Sequence, residues 1–174
     1  WWQLAHGVSD DGHTHAAIQL AQLCEATLQQ GQSVVFVVPD WRDIDQLRTL
    51  LEDTVGSEFL AVFDSEHTNS ERYQNYLRCL ESDPVVVLGS RHAIYTPVSN
   101  LGLILVYNDS DDSHREPLAP YPHTRDIALI RAEQTGAALC MASLVPSIAV
   151  HRLMSMGYLT AQRPVDTTRP RVIP

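Results

Sequence analysis

WWQLAHGVSDDGHTHAAIQLAQLCEATLQQG, residues 1–31, passes from an extended run through a glycine-bounded loop into a periodic stretch. Trp2 to His6 reads as a strand that enters the loop directly. Over residues 14–30, Ile18, Leu20, Leu23, Cys24 and Leu28 fall mostly on one face of a helix, and Gly31 suits the C-terminal stop. A strand, a tight loop and a helix, in that order, predict an α/β unit.

The rest of the chain repeats this alternation. VVFVV (34–38) is a fully buried strand by length and branching, and Asp40 can cap a helix running to about Asp53 with Ile44, Leu47, Leu50 and Leu51 inward. FLAVF (59–63) is a third strand and SERYQNYLRCLES (70–82) a helix. VVVL (85–88) and LILVY (103–107) are strands four and five. A helix is expected from His123 to Gln134, a sixth strand at ALCMA (138–142), and a last helix at SIAVHRLMSM (147–156). This pattern predicts a three-layer α/β sandwich whose mostly parallel sheet is covered on both faces. Ligands of such folds sit where strands end and the next loops begin.

The chain has 174 residues, is 44% hydrophobic and 19% charged, and is the size of one globular domain. Its longest strongly apolar run, Val34 to Val38, is too short to cross a bilayer, so no membrane partner is expected. The opening residues lack the basic-then-apolar pattern of a secretory leader. Cys24, Cys79 and Cys140 have no C-x-x-C spacing and read as buried thiols of a reducing cytoplasm, the expected location. The formal charge of −9 argues against a free-standing nucleic-acid binder, which needs a basic excess to neutralise phosphates. WWQLAHG reads as a strand entered in mid-course, as in a piece of a longer protein.

GVSDDGHT, residues 7–14, keeps the frame of the phosphate-binding loop G-x-x-x-x-G-K-[ST] through Gly7, Gly12 and Thr14, but His13 stands where the lysine belongs. His13 is shorter than lysine and mostly neutral near pH 7. Asp10 and Asp11 lie where phosphate charge would go, and a like charge at about 4 Å costs about 4 kcal/mol near a protein surface. Taken alone, the loop also admits a metal site from His13, His15 and the aspartates. It admits too a simple helix start in which acidic residues favour the macrodipole, and this last reading leads.

Residues 85–132, VVVLGSRHAIYTPVSNLGLILVYNDSDDSHREPLAPYPHTRDIALIRA, strongly resemble the helicase core of the PriA family of replication-restart helicases. Gly89, Arg91, Ala93, Pro97, Asn100 to Ile104, Val106, His123, Arg125, Asp126, Ala128, Arg131 and Ala132 match the family pattern. SVVFVVPD resembles the family's strand ending in V-P-E, with Asp40 for the glutamate, and ASLVPS (142–147) sits at its S-A-T-P-S motif. The resemblance implies a RecA-like, P-loop NTPase-like helicase lobe over residues 1–157. Residues 158–174, with GYL and the RPVD tail, would be a linker towards a second lobe not contained here. The family's zinc-binding cysteines and amino-terminal DNA-binding region also lie outside this chain.

The departures from the family carry the functional expectation. Active members have D-E-E-H after strand five, where the aspartate holds magnesium and the glutamate activates water. The first two positions here are Tyr107 and Asn108, followed by Asp109 and Ser110. S-A-T, which couples hydrolysis to DNA movement, has become Ser143-Leu144-Val145. The chain is therefore similar to the actinobacterial PriA-like proteins without intact ATPase motifs: a pseudo-ATPase with no catalytic residue, no metal site, and poor affinity for ATP and magnesium.

Arg91, in the segment that lies beside single-stranded DNA in the family, and Arg125 are candidate DNA contacts, with structural arginines the equal alternative. Asp109, Asp111 and Asp112 read as a solvated acidic loop, with a displaced metal site as the alternative. The resemblance implies a non-enzymatic role in fork recognition or primosome assembly. The partners would be forked or single-stranded DNA, primosome proteins and single-strand-binding proteins. The alternative is an ATP-dependent DNA helicase with relocated catalytic groups. A small-molecule enzyme finds no nucleophile or base constellation.

Overall fold

The computed structural model describes residues 1–64 and 68–163. Six strands, β1 (Trp2–Gln3), β2 (Ser33–Val37), β3 (Leu60–Phe63), β4 (Val86–Gly89), β5 (Leu101–Tyr107) and β6 (Ala138–Ser143), form one sheet in the order β1-β6-β5-β2-β4-β3. Every pairing is parallel. The helices are α1 (His15–Leu28), α2 (Trp41–Val55), α3 (Asn69–Cys79), α4 (Thr124–Thr135) and α5 (Ile148–Ser155). The α/β architecture read from the sequence is the one observed, with a sheet that is wholly rather than mostly parallel.

Alternation along the strands splits the core in two. Val34 and Phe36 pack with Leu20, Cys24, Ile44, Leu47 and Leu51 of α1 and α2. Val35 and Val37 face the opposite layer, with Cys79 of α3, Ala128 of α4 and Val150 of α5. Each of these side chains is essentially inaccessible, and burial of one Val or Leu contributes about 1.5–3 kcal/mol. The central strands need branched apolar residues on both faces because helices cover both.

Local signals start the helices. The Thr14 hydroxyl accepts from the Ala17 N–H, and Asp40 and Asp43 form a reciprocal capping box at α2. Thr68 and Glu71 do the same at α3, and Ser147 caps α5. Two elements differ from the sequence reading. The first strand ends at Gln3 because the chain turns into the loop, with Leu4 making one further bond to the Ser143 carbonyl. Phe59 belongs to a 3-10 turn, Ser57–Phe59, and is exposed.

Both lateral edges of the sheet are covered. Gln162 bonds to Trp1 and Gln3 on the outer side of β1, and Leu159 is buried in the core beside α5. Residues 158–163 thus pack on the lobe, and the remaining tail, 164–174, lies outside the described residues. At the other edge, Asn75 Nδ2 donates to the Val62 carbonyl at 2.9 Å and the Arg78 guanidinium to the Leu60 carbonyl at 3.1 Å.

Candidate nucleotide and nucleic-acid site

The loops after β1, β6, β5, β2 and β4 emerge side by side at one end of the sheet, as its strand order requires. This places Gly7–Thr14, Leu144–Ser147, Tyr107–Asp112, Asp40 and Ser90–Arg91 along one rim, where a doubly wound fold binds its ligands. A separate pocket of about 440 Å³, lined by Trp1, Trp2, Leu23, Leu103, Leu139 and Cys140, opens beside the opposite ends of β5 and β6.

The loop 7–14 is a small closed hairpin. Val8 bridges Thr14 antiparallel, the Ser9 N–H donates to the His13 carbonyl at 2.8 Å, and the Gly12 N–H to the Ser9 carbonyl at 3.0 Å. The His15 N–H donates back to the Gly7 carbonyl at 3.1 Å. Gly7 and Gly12 have φ of 108° and 84°, values that side chains rarely adopt, so the turn itself requires both glycines. A phosphate-binding loop instead turns successive N–H groups outward around an anion. The Thr14 hydroxyl, which would face magnesium in such a loop, accepts from Ala17 N at 3.1 Å and caps α1.

Tyr107 and Asn108 sit at the end of β5. Tyr107 is half-buried, and burial raises its phenol above the usual range, helped by the Asp43 charge. Burial likewise raises the Asp43 carboxyl, with Asp40 and Asp111 adding in the same direction. Carboxylates from the start of α2 and the β5 loop, Asp40 and Asp111, therefore gather around Asp43, which itself acts on Tyr107, and Arg42 is salt-bridged to Asp40 at 3.2 Å. Asn108 has φ of 49°, in the left-handed region that asparagine tolerates better than glutamate does. Its side-chain oxygen accepts from the Ser110 hydroxyl at 3.0 Å.

Asp109 departs from the expectation of a solvated acidic loop. It is 2% exposed, and its Oδ2 accepts from the Arg125 guanidinium at 2.9 Å and from the Ser147 hydroxyl at 2.7 Å. One carboxylate oxygen thus joins the β5 loop to the starts of α4 and α5. Asp111 caps the 3-10 turn Asp112–His114 through Ser113 N, and Asp112 is exposed. The three carboxylates have separate tasks, and among the described residues no group of three His, Cys, Asp or Glu side chains could hold a metal ion.

The two candidate DNA contacts are engaged within the protein. Arg125 has a side chain only 16% exposed and held by Asp109. Arg91 Nε donates to Glu116 at 3.1 Å, and this bond holds the Glu116 carboxyl below the usual carboxylate range. His92 approaches the same carboxylate at 3.4 Å and is more exposed. Gly89, just before them, has no room for a Cβ, which would lie 2.8 Å from the Phe63 carbonyl oxygen. Two further residues matter to which the sequence reading gave no role: Arg131, which it named only as a match to the family pattern, and His114. Arg131 donates to the carbonyls of Ile94 and Thr96, fastening α4 to the segment after β4. His114 is buried with Nε2 on the Tyr107 carbonyl at 2.8 Å and its ring stacked on His123.

No family model matches the chain. Among curated proteins, the probable replication restart protein PriA of Mycobacterium tuberculosis is 34% identical over 161 residues, covering 90% of this chain and 25% of that protein. Replication restart protein PriA of Synechocystis is 34% identical over 86% of this chain and 18% of its own length. The Bacillus subtilis protein of that name is 26% identical over 88% of this chain. By sequence, this chain is homologous to a stretch of the replication restart protein PriA. It spans about a quarter of the length of the mycobacterial PriA proteins it matches. The match covers 90% of this chain.

One signal for the nucleotide site lay open in the sequence and was not used: all 12 basic residues other than histidine are arginine, and the 174 residues contain no lysine. No lysine elsewhere in this stretch can stand in for the one that His13 replaces.

Proposed function

We propose that this chain is a non-hydrolysing, helicase-like module of a replication-restart protein, which acts in fork recognition or primosome assembly rather than by unwinding. The observation that carries the reading is the closed hairpin at 7–14, whose own carbonyls take up the N–H groups of Ser9, Gly12 and His15. A triphosphate would meet no lysine, Asp10 and Asp11 in the loop, and Asp40, Asp43 and Asp111 across the rim. Its magnesium would find Tyr107 and Asn108 where active relatives are expected to have carboxylates. These residues do not fit magnesium-ATP, and no catalytic step is derived through it.

The relatives' names support the replication-restart setting, and forked or single-stranded DNA is the proposed partner of the longer protein. An ATPase assay with labelled nucleotide and forked DNA tests the reading. The expected result is no turnover above background, and no heat of magnesium-ATP binding in calorimetry at micromolar concentration. Turnover that disappears on Thr14→Ala would overturn the proposal.

A further inference from the structure

His114 lies in the connection between β5 and α4 and is 1% exposed. Its Nε2 is 2.8 Å from the Tyr107 carbonyl oxygen. A carbonyl only accepts, so Nε2 carries the ring proton and Nδ1 is left as a lone-pair acceptor. Nδ1 is buried and meets no hydrogen-bond donor of the protein. Buried polar atoms are almost always paired, so an acceptor in this state calls for a donor from outside the chain.

The place for that donor is beside the ring. His114 lines a cavity of about 10 Å³ together with Arg91, Tyr95, Glu116 and Thr124. That volume suits the centre of one water molecule and excludes a larger ligand. A metal ion does not fit, because among the described residues no group of three His, Cys, Asp or Glu side chains could hold one. One proton of a water goes to Nδ1, and Thr124 and Glu116 on the same lining are acceptors for the other. The Thr124 hydroxyl donates to the His114 carbonyl at 3.2 Å and keeps lone pairs of its own. Glu116 takes bonds from Arg91 and from the Leu118 N–H, and a carboxylate has room for more.

We propose that a single structural water is bound at His114 Nδ1, between the segment after β4 and the β5–α4 connection. Arg91 and Tyr95 come from the first, and His114, Glu116 and Thr124 from the second. The water acts beside the Arg91–Glu116 ion pair, at 3.1 Å, in tying the two together. These segments carry Arg91 and lead into Arg125, so the water helps to fix the spacing of the two arginines.

Crystallography and NMR of the 174-residue chain test this. A crystal structure should show an ordered water about 2.7–3.2 Å from Nδ1. NMR with isotope-labelled histidine should report the Nε2–H tautomer for His114 and cross-relaxation between its ring and a long-lived water. His114→Gln keeps a donor for the Tyr107 carbonyl but lacks Nδ1, so its crystal structure should lose the water with the fold unchanged. Should that variant not fold, the two measurements on the unaltered chain decide alone. A protein donor on Nδ1, a proton on Nδ1 instead of Nε2, or no ordered water within about 3.5 Å overturns the proposal. So does a water that keeps its place in His114→Gln.

Discussion

Asp109 is a small residue with wide structural consequences. Its carboxylate is buried and satisfied by Arg125 and Ser147, so removal of either cationic or anionic partner strands the other away from water. Asp109→Ala or Arg125→Ala is expected to cost about 3–5 kcal/mol, read from the shift in urea midpoint. The residue was not legible as a core anchor because its partners lie 16 and 38 positions further along. The histidine pair gives a second residue-scale outcome. Burial lowers the pKa of His114 and of His123 below 6.5, and His123 Nδ1 must stay unprotonated to accept from Arg125 N and cap α4. The unfolded chain therefore takes up protons first as pH falls. This contribution to stability is complete above pH 6.5 and is lost as pH drops towards the folded-state values. Unfolding by urea at pH 7.5 and 5.5 should show a lower midpoint at the acid value. The difference should shrink in a His114→Gln, His123→Asn double variant.

Among the elements, strands and helices were legible because their signals are local. Val34 to Val37 is apolar throughout and β-branched at all but Phe36, and Asp40 announces α2 by a capping box within four residues. The loop 7–14 was legible only in part. Its substituted lysine and its aspartates were visible in the sequence, while its closure rests on backbone bonds that leave no mark on residue identity. Gly7 and Gly12 fit the frame of a phosphate loop, yet they also serve a hairpin turn. Putting the missing side chains back should therefore fail. A triple variant, His13→Lys, Tyr107→Asp and Asn108→Glu, is expected to show no ATP turnover, because the N–H groups of Ser9, Gly12 and His15 remain occupied. Its Asn108→Glu component should itself cost about 1–2 kcal/mol, since a left-handed backbone disfavours glutamate.

At the scale of the molecule, charge and pairing act together. Twelve arginines face 21 acidic residues, and Arg91 and Arg125 are already committed to Glu116 and Asp109. The chain alone is expected to bind single-stranded DNA more weakly than about 100 µM at 150 mM salt, measured by fluorescence anisotropy. The α/β architecture could be read at this scale because alternation of strands and helices is visible along the chain. The orientation of α3 could not, because the apolar spacing of Tyr73, Tyr76, Leu77 and Leu80 looks the same whether the stripe points in or, as here, out. Asn75 and Arg78, which decide that orientation, also stopper the last open carbonyls of β3. Without those two stoppers the rim of the sheet would become a template on which foreign strands could stack, and the lobe would acquire a route to fibrils.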